Sequence, residues 1–183
     1  SFINRLTAQR ECLALAAGLV AAVPGPVLEV GLGNGRTYDH LRSLLPGREI
    51  FAFDRQLNAH PQSTPDAAHL ILGEFAATLP SALSRIGSRA ALIHADFGSG
   101  DATATAALAA WLGSAIAPLL APGGVVASDQ PLQVAGWTML PLPKDVAAGR
   151  YYLYGDRRPL AVRWHRTAIA ARGFARRRPA AVR

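Results

Sequence analysis

The sequence predicts a three-layer α/β domain whose mostly parallel β-sheet ends in an antiparallel C-terminal hairpin. Short apolar runs alternate with helical stretches, and Gly or Pro marks each change. This alternation is typical of βαβ units, in which helices join parallel strands. A chain of 183 residues is long enough for one domain with a well-packed core and too short for two of the usual size. We therefore expect a single active site.

The first half of the chain supplies the clearest elements, and Gly or Pro lies near most of their ends. They are a helix at 8–23, a strand at 27–30, a helix at 36–45, a strand at 50–53, a strand at 69–72 and a helix at 74–86. A polar, Pro-containing loop at 56–67 separates the second strand from the third. Helix and strand alternate here as a parallel sheet requires.

The second half continues the alternation and then changes to a hairpin. A strand at 90–95 precedes a long Ala-rich helix, which Asp101 or Thr103 caps and which ends near Leu120. The remaining elements are a strand at 125–128 and two strands at 137–140 and 151–154, joined by a Pro-rich loop that favours antiparallel pairing. Residues 158–172 fit a helix or a strand. The predicted organisation is an N-terminal helix at 1–25, the α/β domain at 26–157 and a basic segment at 158–183.

The positive charge of the chain is confined to its C-terminal part. The formal net charge is +7, but Arg150 and the residues beyond it carry +9, whereas residues 1–149 carry −2. The Arg-rich run at 176–183 is typical of a solvated tail. We therefore expect the core of the domain to bind no nucleic acid.

Cysteine usage and hydropathy indicate the compartment. Cys12 is the only cysteine, which excludes an internal disulfide and a cysteine-rich metal cluster, and its Ala-Leu-rich surroundings predict a buried thiol. No uninterrupted apolar run approaches the roughly 20 residues that span a bilayer. Residues 1–11 lack the apolar core of a signal peptide. The sequence therefore predicts a cytoplasmic protein without a membrane segment.

A glycine-rich loop follows the first predicted strand. Residues 27–35 read VLEVGLGNG, so a buried strand runs into Gly31, Gly33 and Gly35 and then into a helix. Glycines at such a turn let the backbone come within contact distance of a ligand. In a dinucleotide fingerprint the third glycine follows the second by three residues, and here it follows by two. The loop therefore departs from a pyrophosphate-binding fingerprint.

The loop resembles the first motif of class I methyltransferases that use S-adenosylmethionine, and further matches extend to about residue 130. The resemblance implies a Rossmann-like methyltransferase sheet with S-adenosylmethionine as its cofactor. It implies that Gly31, Gly33, Asn34 and Gly35 pass under the amino-acid part and the ribose of the cofactor, and that Glu29 helps to orient the ammonium side. An acid suits a sulfonium cation, whereas a phosphate site would avoid one.

Two further segments fit the ribose and the adenine of the cofactor. Asp54 ends the strand FAFD nineteen residues after the last glycine of the loop, where Rossmann-like sites hold a ribose diol. Arg55 beside it stacks on the adenine or faces water. The resemblance also places Gly73, Glu74 and Phe75 at the adenine, and a plain helix N-terminus is the competing interpretation.

The segment HADFGSGD at 94–101 closes the fourth predicted strand, where open α/β folds bind ligands. By resemblance it lines the junction of cofactor and acceptor, so Asp96 and Phe97 are the candidates nearest the reacting centre. His94 points inward on a buried strand, and we expect it to be a hydrogen-bonded core histidine. The segment LLAPGGVV at 119–126 is similar to the turn that precedes the fifth strand in this family.

Two acids at the ends of neighbouring predicted strands, Asp96 and Asp129, are the candidate catalytic residues. With Gln130 they resemble a loosened form of the metal-dependent catechol-type O-methyltransferases, in which two Asp and one Asn hold a magnesium-like ion that acidifies a hydroxyl. Gln stands where that family has Asn, so two solvated carboxylates are the alternative. We assign no metal ligand from the sequence and keep a divalent metal as a hypothesis.

The sequence thus predicts methyl transfer from S-adenosylmethionine to an unidentified small-molecule acceptor, by a chain that is compatible with a homo-oligomer. The segment before Trp137 leaves no room for the helix that the family usually has there. No Asn-Pro-Pro-Tyr or Asp-Pro-Pro-Tyr follows the fourth strand, which argues against adenine and glutamine acceptors. A nicotinamide-dependent oxidoreductase and a non-catalytic cofactor-binding module are the alternatives.

Overall fold

Seven strands and five helices make up the part of the chain that the computed structural model describes, residues 2–98 and 100–156. The strands are β1 (Val27–Val30), β2 (Ile50–Asp54), β3 (Leu70–Leu72), β4 (Ala90–Ala95), β5 (Leu120–Ser128), β6 (Trp137–Met139) and β7 (Tyr152–Asp156). The helices are α1 (Phe2–Leu19), α2 (Arg36–Leu44), α3 (Phe75–Thr78), α4 (Ala82–Ile86) and α5 (Ala102–Ile116), with 3-10 turns at Pro61–Ser63, Leu79–Ser81 and Ala117–Leu119.

All seven strands form one sheet in the order β3-β2-β1-β4-β5-β7-β6. Strands β1 to β5 pair in parallel, while β7 pairs antiparallel with both β5 and β6. The predicted fold class, including the C-terminal hairpin, is therefore confirmed. The chain reverses its direction of winding between β1 and β4, and open α/β sheets bind their ligands at such a point, beyond the carboxyl ends of the strands.

The two faces of the sheet are covered by different helices, which gives three layers. Val27 and Leu92 lie in a buried cluster with residues of α1 and α2, whereas Leu28 and Ile93 lie in a second cluster with residues of α3, α4 and α5. Because successive side chains of a strand point to opposite faces, strands buried on both sides are apolar at nearly every position. Glu29 and His94 are the polar exceptions in β1 and β4.

The N-terminal helix begins earlier than predicted. It spans Phe2–Leu19 rather than residues 8–23, because the polar residues that precede Ala8 are acceptable helix formers and continue its first turns. At its other end, Arg48 donates hydrogen bonds to the carbonyls of Val20 and Val23 and so holds the chain in a turn. The earlier start places two further turns of helix beside the carboxyl ends of the strands.

The predicted helix at 74–86 is wrong as a single element. It is divided into α3, a 3-10 turn at Leu79–Ser81, and α4. Pro80 causes the break, because proline has no N–H for the helical ladder and its ring clashes with the preceding turn. Strand β5 also begins at Leu120 rather than at 125, since Leu120 already pairs with Ala90.

One segment of the described chain is long and apolar enough to cross a membrane by length and composition alone. Ala102–Leu119 has a mean hydropathy of 1.4 over 18 residues, although polar residues interrupt its apolar run. In the fold this segment packs Leu112 and Ile116 into the core against the sheet. Core helices pass the same test, so the segment is weak evidence for a membrane span.

The domain boundaries at 25/26 and 157/158 stay predictions. The predicted element at 158–172 and the Arg-rich run at 176–183 lie outside the described residues.

Replacing Arg48 should destabilise the fold. Its guanidinium donates to the carbonyls of Val23 at 2.7 Å and Gly25 at 2.9 Å, and further bonds reach Val20 and Ala21, so it satisfies backbone acceptors where α1 leads into β1. We expect Arg48→Ala to lower the free energy of unfolding by about 2 kcal/mol, measured by urea denaturation. Arg89→Ala, at an exposed position, is the matched control and should change it by less than about 0.5 kcal/mol. Equal losses would contradict this role.

Cys12 should be unreactive in the native protein. Its side chain is buried, and burial together with the nearby Glu11 raises the pKa of the thiol to about 11. Because the thiolate is the reactive form, we expect iodoacetamide at pH 8 to modify the folded protein about a hundredfold more slowly than the urea-unfolded chain. Similar rates in the two states, followed by mass spectrometry, would show that the thiol is accessible.

Candidate functional site

Four candidate site residues lie in one row at the carboxyl ends of adjacent parallel strands. Val30 of β1 is paired with Phe53 of β2 and with Ala95 of β4, and Ala95 is paired with Ser128 of β5. The next residue in each strand or loop therefore lies at the same edge of the sheet. These residues are Gly31, Asp54, Asp96 and Asp129.

Gly31 lets β1 and β4 stay side by side beyond their last paired residues. A Cβ atom at this position would lie 2.0 Å from the backbone oxygen of Asp96, and the φ angle of +100° is one that L side chains rarely adopt. A Cβ at Gly33, by contrast, would point into open space. The first glycine is thus required by the protein, whereas the second leaves room for a ligand above the loop.

Asp54 is bound to the glycine loop. Its Oδ2 accepts a hydrogen bond of 2.8 Å from the amide of Gly33, and its Oδ1 accepts a longer one, 3.4 Å, from Gln56. The carboxylate of Asp54 therefore holds the glycine loop against the end of β2. Its Oδ1 makes the longer hydrogen bond and has more freedom to accept a hydrogen bond from a ligand hydroxyl.

A cavity of about 370 Å³ lies over this edge of the sheet. This size is within the range of small-molecule and cofactor sites. Eight of the residues predicted to bind the cofactor line it: Gly31, Gly33, Asp54, Arg55, Glu74, Phe75, Asp96 and Phe97. The structure thus brings most of the predicted set around one space.

The other four predicted residues do not line this cavity. Asn34 is exposed, and its Oδ1 accepts from the amide of Arg36 at the start of α2. Gly35 precedes the same helix and packs against the backbone of Ser63, while Gly73 extends the pairing of β3 by donating to the carbonyl of Asp54. These three act on the shape of the loops that surround the cavity.

Glu29, the fourth, lies beneath the loop with no exposed surface. Its Oε2 accepts a hydrogen bond of 2.7 Å from Nδ1 of His94, and its Oε1 accepts one from the hydroxyl of Thr37. Burial by itself lowers the pKa of His94, but the adjacent carboxylate of Glu29 together with the charges of Asp96 and Asp129 raises it, and the net shift of the pKa is upward. His94 is thus a buried, hydrogen-bonded histidine, as predicted.

Sequence reasoning missed the contribution of two helices. Leu108 and Trp111 of α5 line the cavity together with Phe75, and Trp111 is 37% exposed, which is unusual for a tryptophan on a core helix. The sequence predicts α5 only as a long Ala-rich helix, without a role in the site. From α1, Arg5 and Gln9 reach the strand ends, and nothing local in the sequence indicates this.

The two candidate catalytic acids have different environments. Asp96 lines the cavity, accepts a hydrogen bond of 2.7 Å from Nε2 of Gln9 and lies 3.8 Å from the guanidinium of Arg5. Asp129 is almost fully buried, and its oxygens accept from the amides of Phe97 and Gly98. Burial and the nearby charge of Asp96 raise the pKa of Asp129.

These acids do not fit the metal site that their positions first suggested. Arg5 lies within 4.0 Å of both carboxylates and brings a positive charge to them. Gln130 turns its amide nitrogen, not its oxygen, toward Asp129 at 3.0 Å. Among the described residues no group of three or more His, Cys, Asp or Glu side chains could hold a metal ion. The arginine therefore supplies one positive charge to this pair.

A second, larger cavity of about 710 Å³ adjoins the first. The two share Gly98 and Thr105 in their walls, and Asp129 and Arg5 line the larger one. The cofactor-sized space and the larger space therefore meet at the loop that follows β4.

The residues of the smaller cavity fit S-adenosylmethionine. Open space above Gly33, an acid at the loop and apolar side chains of Phe75, Leu108 and Trp111 suit an amino acid, a ribose and an adenine, respectively. Asp96 on the same wall suits a ligand that carries positive charge.

Comparison with known proteins gives the same assignment. A family model described as S-adenosyl-L-methionine methyltransferase matches residues 1–157. The crystal structure of an S-adenosyl-L-methionine methyltransferase from Silicibacter pomeroyi is 44% identical, with a TM-score of 0.79, and the match covers 84% of this chain and 95% of that one. No curated protein sequence matches.

More distant structures also match. DesVI from Streptomyces venezuelae is 18% identical with a TM-score of 0.47, and the match covers 76% of this chain and 62% of that one. A sugar N-methyltransferase from a Streptoalloteichus species is 19% identical with a TM-score of 0.47, and the match covers 73% of this chain and 55% of that one. The family model and the Silicibacter protein are decisive by their coverage and identity: the chain belongs to the S-adenosyl-L-methionine methyltransferase family.

Proposed function

We propose that the protein transfers the methyl group of S-adenosylmethionine to a small molecule seated in the larger cavity. The observation that carries this proposal is the junction of the two cavities at Gly98 and Thr105. In-line methyl transfer needs the acceptor atom directly beside the methyl carbon, on the side away from the sulfur. Two spaces that meet at one loop satisfy this requirement.

The proposed cofactor contacts follow the walls of the smaller cavity. The Asp54 carboxylate accepts from the ribose hydroxyls, and the amides around Gly31 and Gly33 face the amino-acid part. Phe75 and Trp111 enclose the adenine, with Glu74 and Arg55 at its rim. Glu29, Asn34, Gly35 and Gly73 support these contacts by holding the loops.

The protein contributes alignment, charge and exclusion of water. Bound S-adenosylmethionine supplies an electrophilic methyl carbon on a sulfonium. Asp96, 19% exposed at its side chain, faces the positive end of this ligand and is the candidate to orient the acceptor or receive its proton. Asp129, 3% exposed, holds the loop after β4 through the amides of Phe97 and Gly98.

The acceptor we propose is small and is not a nucleic acid. A space of 710 Å³ holds a drug-sized molecule, and the first 149 residues carry a net charge of −2, which repels a polyanion. We also propose a cytoplasmic location, in keeping with a single cysteine that stays buried as a thiol. Association into a homo-oligomer stays a prediction.

Changes at the loop should weaken cofactor binding. We expect S-adenosylhomocysteine to bind the wild-type protein. Asp54→Ala should make the free energy of binding less favourable by roughly 1 to 3 kcal/mol, because the ribose hydroxyls lose their acceptor. Gly33→Ala should weaken it about tenfold or more, since the new methyl group occupies the space of the ligand. Isothermal titration calorimetry measures both effects.

The matched controls for these variants lie away from the cavity. Gly47 has a φ of +81° and open space around a Cβ, so Gly47→Ala reproduces the backbone strain of Gly33→Ala without touching the ligand. Asp66 also accepts from backbone amides, and Asp66→Ala is the control for Asp54. Wild-type affinity in Gly33→Ala and Asp54→Ala would refute the placement of the cofactor.

A divalent metal should have no effect on ligand binding or stability. Because the guanidinium of Arg5 already lies beside Asp96 and Asp129, we expect neither millimolar Mg²⁺ nor a chelator to change the affinity for S-adenosylhomocysteine or the melting temperature. A thermal-shift titration checks this. Stabilisation by Mg²⁺ that disappears in Asp129→Asn would instead establish the metal site.

A further inference from the structure

A chain of buried polar side chains connects the glycine loop to Asp96, and the proposed chemistry does not use it. It begins with Glu29 and His94, which are register partners on β1 and β4 and are both fully buried. Thr37, on the helix that follows the loop, donates to the other carboxylate oxygen of Glu29. One end of the chain is therefore attached to the loop and its helix.

The chain continues from His94 toward the cavity. Nε2 of His94 is hydrogen-bonded to the hydroxyl of Tyr151, which is 1% exposed. The side chain of Gln9 lies beside this hydroxyl and donates through Nε2 to Oδ2 of Asp96 at 2.7 Å. Groups from α1, β1, β4 and the residue before β7 thus form one continuous series.

The donors and acceptors of this series are mutually consistent. Glu29 accepts twice, so Nδ1 of His94 carries a hydrogen and Nε2 faces the hydroxyl of Tyr151. The terminal amide of Gln9 has two N–H groups, enough for both Tyr151 and Asp96. A fully satisfied polar network inside a core is rigid and specifies one arrangement.

Burial of five polar side chains between the sheet and α1 has a cost that apolar residues would avoid. Apolar replacements would pack this layer equally well, yet they could not hold an acid at the cavity wall. The only member of the network that lines the cofactor cavity is Asp96, within the described part of the chain. The network therefore ends at Asp96, the member whose orientation affects a ligand in the cavity.

We propose that Glu29, His94, Tyr151 and Gln9 form a positioning chain that fixes the Asp96 carboxylate toward the positive end of the bound cofactor. The proposal rests on the proposed function, because it takes Asp96 to face the sulfonium. Its members do not touch the reacting atoms. They act through Asp96, and Gln9 is the residue that makes the contact.

Removal of one hydroxyl tests this chain. Tyr151→Phe cuts the link between His94 and Gln9, and Tyr154→Phe is the matched control, since Tyr154 is another buried tyrosine whose hydroxyl only accepts from the amide of Leu132. Affinities for S-adenosylmethionine and S-adenosylhomocysteine are measured by calorimetry on each variant. Only S-adenosylmethionine carries the sulfonium charge, so the ratio of the two affinities reports where the Asp96 carboxylate lies.

We expect Tyr151→Phe to reduce the preference for S-adenosylmethionine about threefold to tenfold, and Tyr154→Phe to leave it unchanged. In an Asp96→Asn background Tyr151→Phe should have no further effect on the ratio, because the residue through which it acts has lost its charge. Should Tyr151→Phe not fold, Gln9→Met tests the same link with the same expected result.

Three outcomes would overturn the proposal in distinguishable ways. Equal effects of Tyr151→Phe and Tyr154→Phe, or weakening of both ligands by the same factor, would mean that the network only stabilises the core. An effect of Tyr151→Phe that persists in Asp96→Asn would mean that it does not act through that acid. Failure of the wild-type protein to bind either ligand would refute the proposed function itself and this inference with it.

Discussion

The site depends on the register of the three parallel strands β1, β4 and β5. Val30 is paired with Ala95, and Ala95 with Ser128, so the loop residues that follow these three lie in one row at the edge of the sheet. This row is possible only while β1 and β4 remain in contact at their ends, and a side chain on Gly31 would occupy the place of a backbone carbonyl of the neighbouring loop. The absence of a side chain at Gly31 thus allows the glycine loop and Asp96 to lie side by side at this edge of the sheet.

The sequence was sufficient for the parts of the site that are local in the chain. A strand that runs into alternating glycines, and acids that directly follow buried strands, are patterns within ten residues, and parallel topology then brings Gly33, Asp54 and Asp96 together without further information. Pro80 itself indicates a break in the helix, but the helical periodicity of the residues around it favours one continuous helix. Errors of this kind concern the ends and continuity of elements, not their order.

Other parts of the site required the tertiary structure. Arg5 and Gln9 precede the glycine loop by more than twenty residues, and only the angle at which α1 crosses the sheet brings them to Asp96. Glu29 shows a related limit. The match to the motif predicts that Glu29 contacts the ligand. Strand alternation instead places Glu29 on the same face of the sheet as Val27, under α1 and α2, where its hydrogen-bond partner is His94.

The presence of an arginine beside Asp96 and Asp129, where a metal ion was the alternative, has a consequence for the proposed reaction. A metal ion would hold both carboxylates rigidly and would itself activate a hydroxyl acceptor. Arg5, with 44% of its side chain exposed, supplies positive charge without offering a coordination position. Under the proposed function, deprotonation of the acceptor relies on a carboxylate or on the acceptor's own acidity, and Asp129 already accepts from two backbone amides. We therefore propose Asp96 as the acid whose placement matters for the reaction, in keeping with the buried network that ends on it.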